Sequence, residues 1–130
     1  MTARETIAEA EAILPGQAPP EGEVDPRWQA IIKIAEFIRE DPEAVWAFIL
    51  RWGCYEDQDL RTAIATCLLE HLLEHHFADF FPKVTTAVQD NVLFGDTFRR
   101  CWKFGQSEQE GNAERFDRLQ KECQVRPQGA

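Results

Sequence analysis

An all-α fold is the prediction for this chain, and three features of its sequence carry it. Apolar residues recur at three- and four-residue spacing along most of its length, the pattern of helices that bury one face. Two Asp-Pro pairs, at 25–26 and 41–42, are suited to open helices, with the aspartate as N-cap and the proline at the first helical position. No window alternates apolar and polar residues for long enough to propose a strand. At 130 residues, 44% of them hydrophobic and including nine Phe and four Trp, the chain makes one domain with enough bulky filling for its own core. About six helices are expected.

The elements follow in order. Residues 3–14 form a short helix with Ile7, Ala10, Ile13 and Leu14 on one side, ended by Pro15 and Gly16. The stretch "PGQAPPEGEVDP" is an acidic connector rich in Pro and Gly, so residues 1–25 make an N-terminal segment. After Asp25-Pro26, residues Trp28, Ile31, Ile34, Ala35 and Ile38 keep helical spacing, with Gln29, Lys33, Glu36 and Glu40 facing away. Asp41-Pro42 ends that helix and starts the next, in which Val45, Trp46, Phe48, Ile49 and Trp52 cover a broad face and Gly53 supplies the C-terminal cap. Beyond the polar turn "CYEDQD" a long helix runs from about Leu60 to His76; Pro82 opens another, and Asp96 caps "TFRRCWKF". Residues 26–105 thus form the helical domain. Residues 106–130 form a polar C-terminal segment with a short helix that uses Phe116, Leu119 and Cys123.

Charge and cysteine usage narrow the function classes. The formal charge is −9, divided as −5 over residues 1–25, −3 over 26–105 and −1 over 106–130. Such a surface repels phosphate backbones and counts against nucleic acid as a partner. Cys54, Cys67, Cys101 and Cys123 are widely spaced without a C-x-x-C pair, so neither a zinc ribbon nor a redox motif is present. The start of the chain lacks the apolar stretch of a signal peptide, and no run approaches the roughly 18 apolar residues of a membrane span. A cytoplasmic protein with reduced thiols, no membrane contact and no cofactor is the expectation.

The pair "DPEAVWAFILRWG" and "EDQDLRTAIATCLLEHLLE" resembles one HEAT-type repeat, through Asp41, Pro42, Asp59, Leu60, Arg61, Ala65 and Leu68. No clean second copy of the period follows. The larger block that includes "ATCLLEHLLEHHF" and "CWKFG" is similar to small bacterial HEAT-like proteins. This resemblance implies a short HEAT-like array of antiparallel helix pairs. It implies no chemistry.

The run "HLLEH", His71 to His75, matches the H-x-x-E-H pattern of the inverzincin metallopeptidases, in which two histidines bind zinc and the glutamate is the base. A metal-dependent hydrolase using His71, Glu74 and His75 is therefore one reading. Two side chains one turn apart can share an ion, yet a catalytic zinc takes three protein ligands, and only Glu108, Glu110, Glu114 and Glu122 follow at a distance, all in the polar segment. On a wheel of about 100° per residue with Leu60 at zero, His71 falls at about 20° and His75 at about 60°, in line with Ile64 and Leu68. That placement packs both histidines in the apolar stripe and leaves Glu70 and Glu74 as an exposed acidic sector. Nothing assembles a nucleophile, base and oxyanion site.

In the helix after Asp96, Phe98, Cys101 and Trp102 share a face, while Arg99, Arg100 and Lys103 lie opposite as a small basic patch on an acidic protein. Together with His75 and His76 at the end of the long helix, these three are the candidate partner-binding residues. One of Trp28, Trp46, Trp52 and Trp102 could anchor a partner from an edge. The sequence thus points to a non-catalytic protein-binding or scaffold module, with another protein as partner. The metal-dependent hydrolase and a helical-repeat nucleic-acid binder stand as its rivals.

Overall fold

The computed structural model describes residues 1–125; residues 126–130 of the polar C-terminal segment lie outside the described part. Among the described residues the chain is all-helical. Its elements are α1 (Ala3–Ile13), α2 (Pro26–Ile34), α3 (Pro42–Trp52), α4 (Gln58–Ile64), α5 (Glu70–Asp90), α6 (Val92–Arg99) and α7 (Asn112–Val125). A π-helical turn, Ala65–Leu69, joins α4 to the first part of α5 without interruption. No described helix is long and apolar enough to cross a membrane.

Local chemistry sets most of the helix starts. Thr2 and Glu5 cap α1 reciprocally, each side chain engaging the other residue's backbone N–H. Asp25 accepts from the Arg27 amide and Asp41 from the Ala44 amide, with Pro26 and Pro42 at the first helical positions. Asp57 opens α4 in the same way, taking the Asp59 and Leu60 amides. At the end of α3, Gly53 keeps helical dihedrals (φ −69°) and is not a left-handed cap. A side chain there is barred by contact instead, because an added Cβ would sit 2.5 Å from the Ile49 carbonyl oxygen and 3.0 Å from the Phe94 ring.

Two runs of aromatic contacts cross the largely aliphatic core. Trp46 of α3 meets Phe80 of α5 at 6.1 Å and Phe94 of α6 at 5.9 Å. Phe77 stacks on Phe81 at 4.5 Å; Phe81 meets Phe98 edge-on, and Phe98 lies 4.8 Å from Phe116 of α7. Leu119 and Cys123 join Phe116 in the buried face of α7, as the spacing in the polar segment predicts. Around this core, polar side chains tie elements distant in sequence. Arg27 is buried and donates to Asp25, to Asp57 (3.0 Å), to Asp59 and to the Gly16 carbonyl, so the connector and the α3–α4 turn close on one guanidinium. Glu11 accepts from Arg51 and from the Trp52 indole, each at 2.8 Å, and fastens α1 to α3.

Three expectations are corrected. Pro82 does not open a helix. The long helix breaks at His76 (φ −139°, ψ 45°) and resumes at once, leaving Pro82 inside the continuation. That restart is set by Gln106, whose side-chain oxygen accepts the Phe77 amide at 2.9 Å and whose side-chain nitrogen donates to the His75 carbonyl at 2.8 Å. Asp96 is not an N-cap: Asn91 takes that role for α6, accepting the Phe94 amide, and Asp96 lies buried in the middle of the helix. Finally, Glu70 is buried, whereas His71 is 39% exposed at its side chain and His75 is half-buried. The π turn explains the inversion. It holds one extra residue, so everything after it is rotated by roughly 100° relative to an unbroken α-helix.

Gln106→Ala leaves the Phe77 amide and the His75 carbonyl without their partner in a largely buried setting. It should lower stability by about 2–3 kcal/mol in denaturant unfolding monitored by circular dichroism. A loss below about 0.5 kcal/mol would show that the break needs no such bridge.

Candidate functional site

After α6 the chain leaves α-helical geometry and lays the segment Cys101–Gln106, whose last two residues open a 3-10 turn (Gly105–Glu108), along the first turns of α5 as a strap. Each contact has a definite cause. The Trp102 amide donates to the buried Glu70 carboxylate at 2.8 Å. The Phe104 ring stacks on His71, with centroids 5.6 Å apart and planes at 18°. Gly105 takes a positive φ of +51° and passes so close to Glu74 that an added Cβ would meet its carbonyl oxygen at 2.9 Å. Gln106 then bridges the break in α5. From the other side, the Gln120 amide of α7 donates to the Cys101 carbonyl at 2.9 Å. With its backbone so held, the strap still leaves the Trp102 side chain in solvent, with the residue 71% exposed.

Beside Trp102 lies a groove of about 580 Å³, lined by Thr62, Thr66, Arg99, Arg100, Lys103 and Gln120, with Cys101 and Phe116 contributing to its wall. The cations are preset. Asp96, 1% exposed, receives Arg61 at 3.1 Å from α4, Arg99 at 2.7 Å and Arg100 at 3.0 Å from its own helix. Lys103 is bonded to Asp117 and lies over the Phe116 ring. Burial acts to raise the Asp96 pKa, but hydrogen bonds from Arg100, Arg99 and Arg61 outweigh it and bring the carboxyl down to about 2. Glu70 moves the other way: burial raises its pKa, only partly opposed by the Trp102 amide and by His71, and reinforced by Glu74.

The histidines do not line this groove. Nδ1 of His71 is 2.8 Å from the Glu74 carboxylate, which also approaches His75 at 3.8 Å. His71 and His75 open onto a cleft of about 250 Å³ with Ala35, Glu36, Ile38 and Arg39. His76 turns the other way, to the Ile38 carbonyl at 3.1 Å and edge-on to Phe80. Arg99, Arg100 and Lys103 are therefore brought to one groove, and His75 and His76 are not. Among the described residues no group of three or more His, Cys, Asp or Glu side chains stands where it could hold a metal ion.

Asp96 and Glu70 went unrecognised in the sequence as the residues that organise this region. A signal for the first was present, since Asp96 precedes Arg99 and Arg100 by three and four residues, the spacing of side chains that meet on a helix. Glu70 had none, because its partner is a backbone amide 32 residues away. No protein family, curated protein or solved structure matches this chain.

Two outcomes test the electrostatics. Because the folded-state pKa of Asp96 lies below its ordinary value of 3.8, its contribution is complete above pH about 5 and disappears as pH falls toward about 2, on the order of 2 kcal/mol in all. Unfolding midpoints across that range should show an acid limb in the wild type that is reduced in Asp96→Asn, where the part from Asp25, whose pKa Arg27 also lowers, remains; the variant is also less stable at neutral pH. Glu70, with its pKa raised above 4.5, contributes stability below that value and loses it as pH rises through the folded pKa. Glu70→Gln keeps an acceptor for the Trp102 amide and should match or exceed wild-type stability at pH 7. Glu70→Ala orphans that amide and should cost about 1–3 kcal/mol in the same assay.

Proposed function

We propose that this chain is a non-catalytic protein-binding module, built as a short HEAT-like array of helix pairs whose recognition surface is the face bearing the Trp102 strap. One observation carries the reading: a tryptophan left 71% exposed on a backbone pinned from both sides, by Glu70 of α5 and Gln120 of α7. Exposed indole costs solvation and invites aggregation, whereas a rigid aromatic beside cations is the composition of an interface anchor. Rigidity adds to this, since a side chain mounted on fixed backbone loses little conformational freedom on binding. Arg99, Arg100 and Lys103 are assigned to the rim of the same surface, and His75 and His76 are left outside it. The cytoplasm is the proposed location, on the widely spaced cysteines of the sequence.

Affinity capture from the native host, with wild-type protein and Trp102→Ala side by side, tests the assignment. The variant should fold with an unchanged melting temperature, because the indole packs on little, and should lose about 2 kcal/mol of binding to a partner retained by the wild type. Equal capture by both proteins would remove Trp102, and with it the proposed surface.

A further inference from the structure

We propose that the groove beside Trp102 receives an acidic linear segment of a partner protein, whose carboxylates meet Arg99, Arg100 and Lys103 while a neighbouring apolar side chain covers the indole. The proposal rests on the binding-module reading and names the chemistry of its partner. Its first support is the sign of the lining. On a chain with 23 acidic and 14 basic residues, the groove is lined by three cations and, among the described residues, by no carboxylate. Three other clefts mix the signs: one between α1 and α3 sets Glu11, Asp41 and Glu43 against Arg4 and Arg51, one between α5 and α7 sets Glu122 among Arg115 and Arg118, and the histidine cleft has both Glu36 and Arg39. The anions that balance the groove lie elsewhere, Asp96 buried beneath it and Asp117 beside Lys103.

Geometry supplies the second support. Asp96 fixes two adjacent guanidinium groups without using up their donors: Arg99 gives it one nitrogen and Arg100 gives it two, of the five N–H groups that a guanidinium carries. An arriving carboxylate meets oriented forks, which reduces the entropy lost on pairing. Thr62 and Thr66 on the facing helix cannot help in the same way, since both hydroxyls donate to carbonyls one turn back. The cations alone therefore provide the charged recognition, and Trp102 the apolar part. A nucleic acid also has charge and stackable rings. It is disfavoured by the net charge of −9, which repels a long polyanion more strongly than a short acidic segment seated in one groove.

Selection of a display library of random short peptides on the immobilised full chain tests the proposal, with oligothymidylate as a parallel probe and circular dichroism to confirm that each variant is folded. Recovered peptides should be enriched in Asp and Glu around an aromatic or aliphatic residue. Their binding should weaken with salt, and about tenfold on Arg99→Gln or, independently, on the more peripheral Lys103→Gln. Failure to recover binders, recovery of peptides without acidic enrichment, binding indifferent to both charge variants, or tighter binding of oligothymidylate would each overturn it. A native partner captured through Trp102 but indifferent to Arg99→Gln and Lys103→Gln would refute the acidic segment and leave the binding module standing. Acidic peptides that bind a chain whose native capture is unchanged by Trp102→Ala would do the reverse.

Discussion

A helix broken in the middle of a core exposes backbone groups that have no water to bond, and the fold of this chain is organised around how that need is met at His76. One side-chain amide, that of Gln106, reproduces what the missing helical turn would have supplied, accepting from Phe77 and donating to His75. For the amide to reach, the chain after α6 must run back along α5. That return path is the strap. The rest follows from its course: Trp102 over Glu70, Phe104 on His71, Gly105 against Glu74, and α7 closing over Phe98 through Phe116. A defect in one helix thereby fixes the position of a loop that starts 25 residues beyond it, at Cys101.

Buried charge divides the molecule into two differently wired ends. At the N-terminal end one cation, Arg27, gathers three carboxylates and a carbonyl, and the connector is held to the α3–α4 turn. At the other end the stoichiometry is inverted, with one anion, Asp96, gathering three guanidinium groups. Both arrangements are networks whose members lose more when one partner is removed than any pair contributes alone. Their signs differ in effect, because the first consumes its cation and the second leaves positive charge in excess at the surface. An acidic protein acquires a basic groove in this way, from three cations within five residues of its chain.

The sequence made the local layer legible. Asp25 and Asp41 cap as their Pro neighbours imply, the apolar spacing of Phe116, Leu119 and Cys123 predicts the buried face of α7, and the all-helical class follows from periodicity alone. What escaped is non-local or non-ideal. A helical wheel assumes a constant angle per residue, so a single π turn over Ala65–Leu69 was enough to exchange the environments assigned to Glu70 and to His71 and His75. Pro82 reads as a start because nothing nearby marks Phe77 as one; the mark is 29 residues away. Arg99, Arg100 and Lys103 were recognisable as a patch, but not the buried Asp96 that orients two of them.

The π turn has a consequence for how this chain can vary in length. One-residue deletions inside helices ordinarily scramble the faces that follow, yet here a deletion within Ala65–Leu69 would restore ordinary α-helical winding and relieve a rare conformation. It would be favourable within the helix and ruinous outside it. Glu70, His71 and Glu74 would swing away from Trp102, Phe104 and Gly105 together, and the strap would lose all three of its seats at once. The extra residue is thus kept in place by what it does for a distant loop, and the spacing between Leu60 and Glu70 is a length the chain cannot shorten while it retains this face.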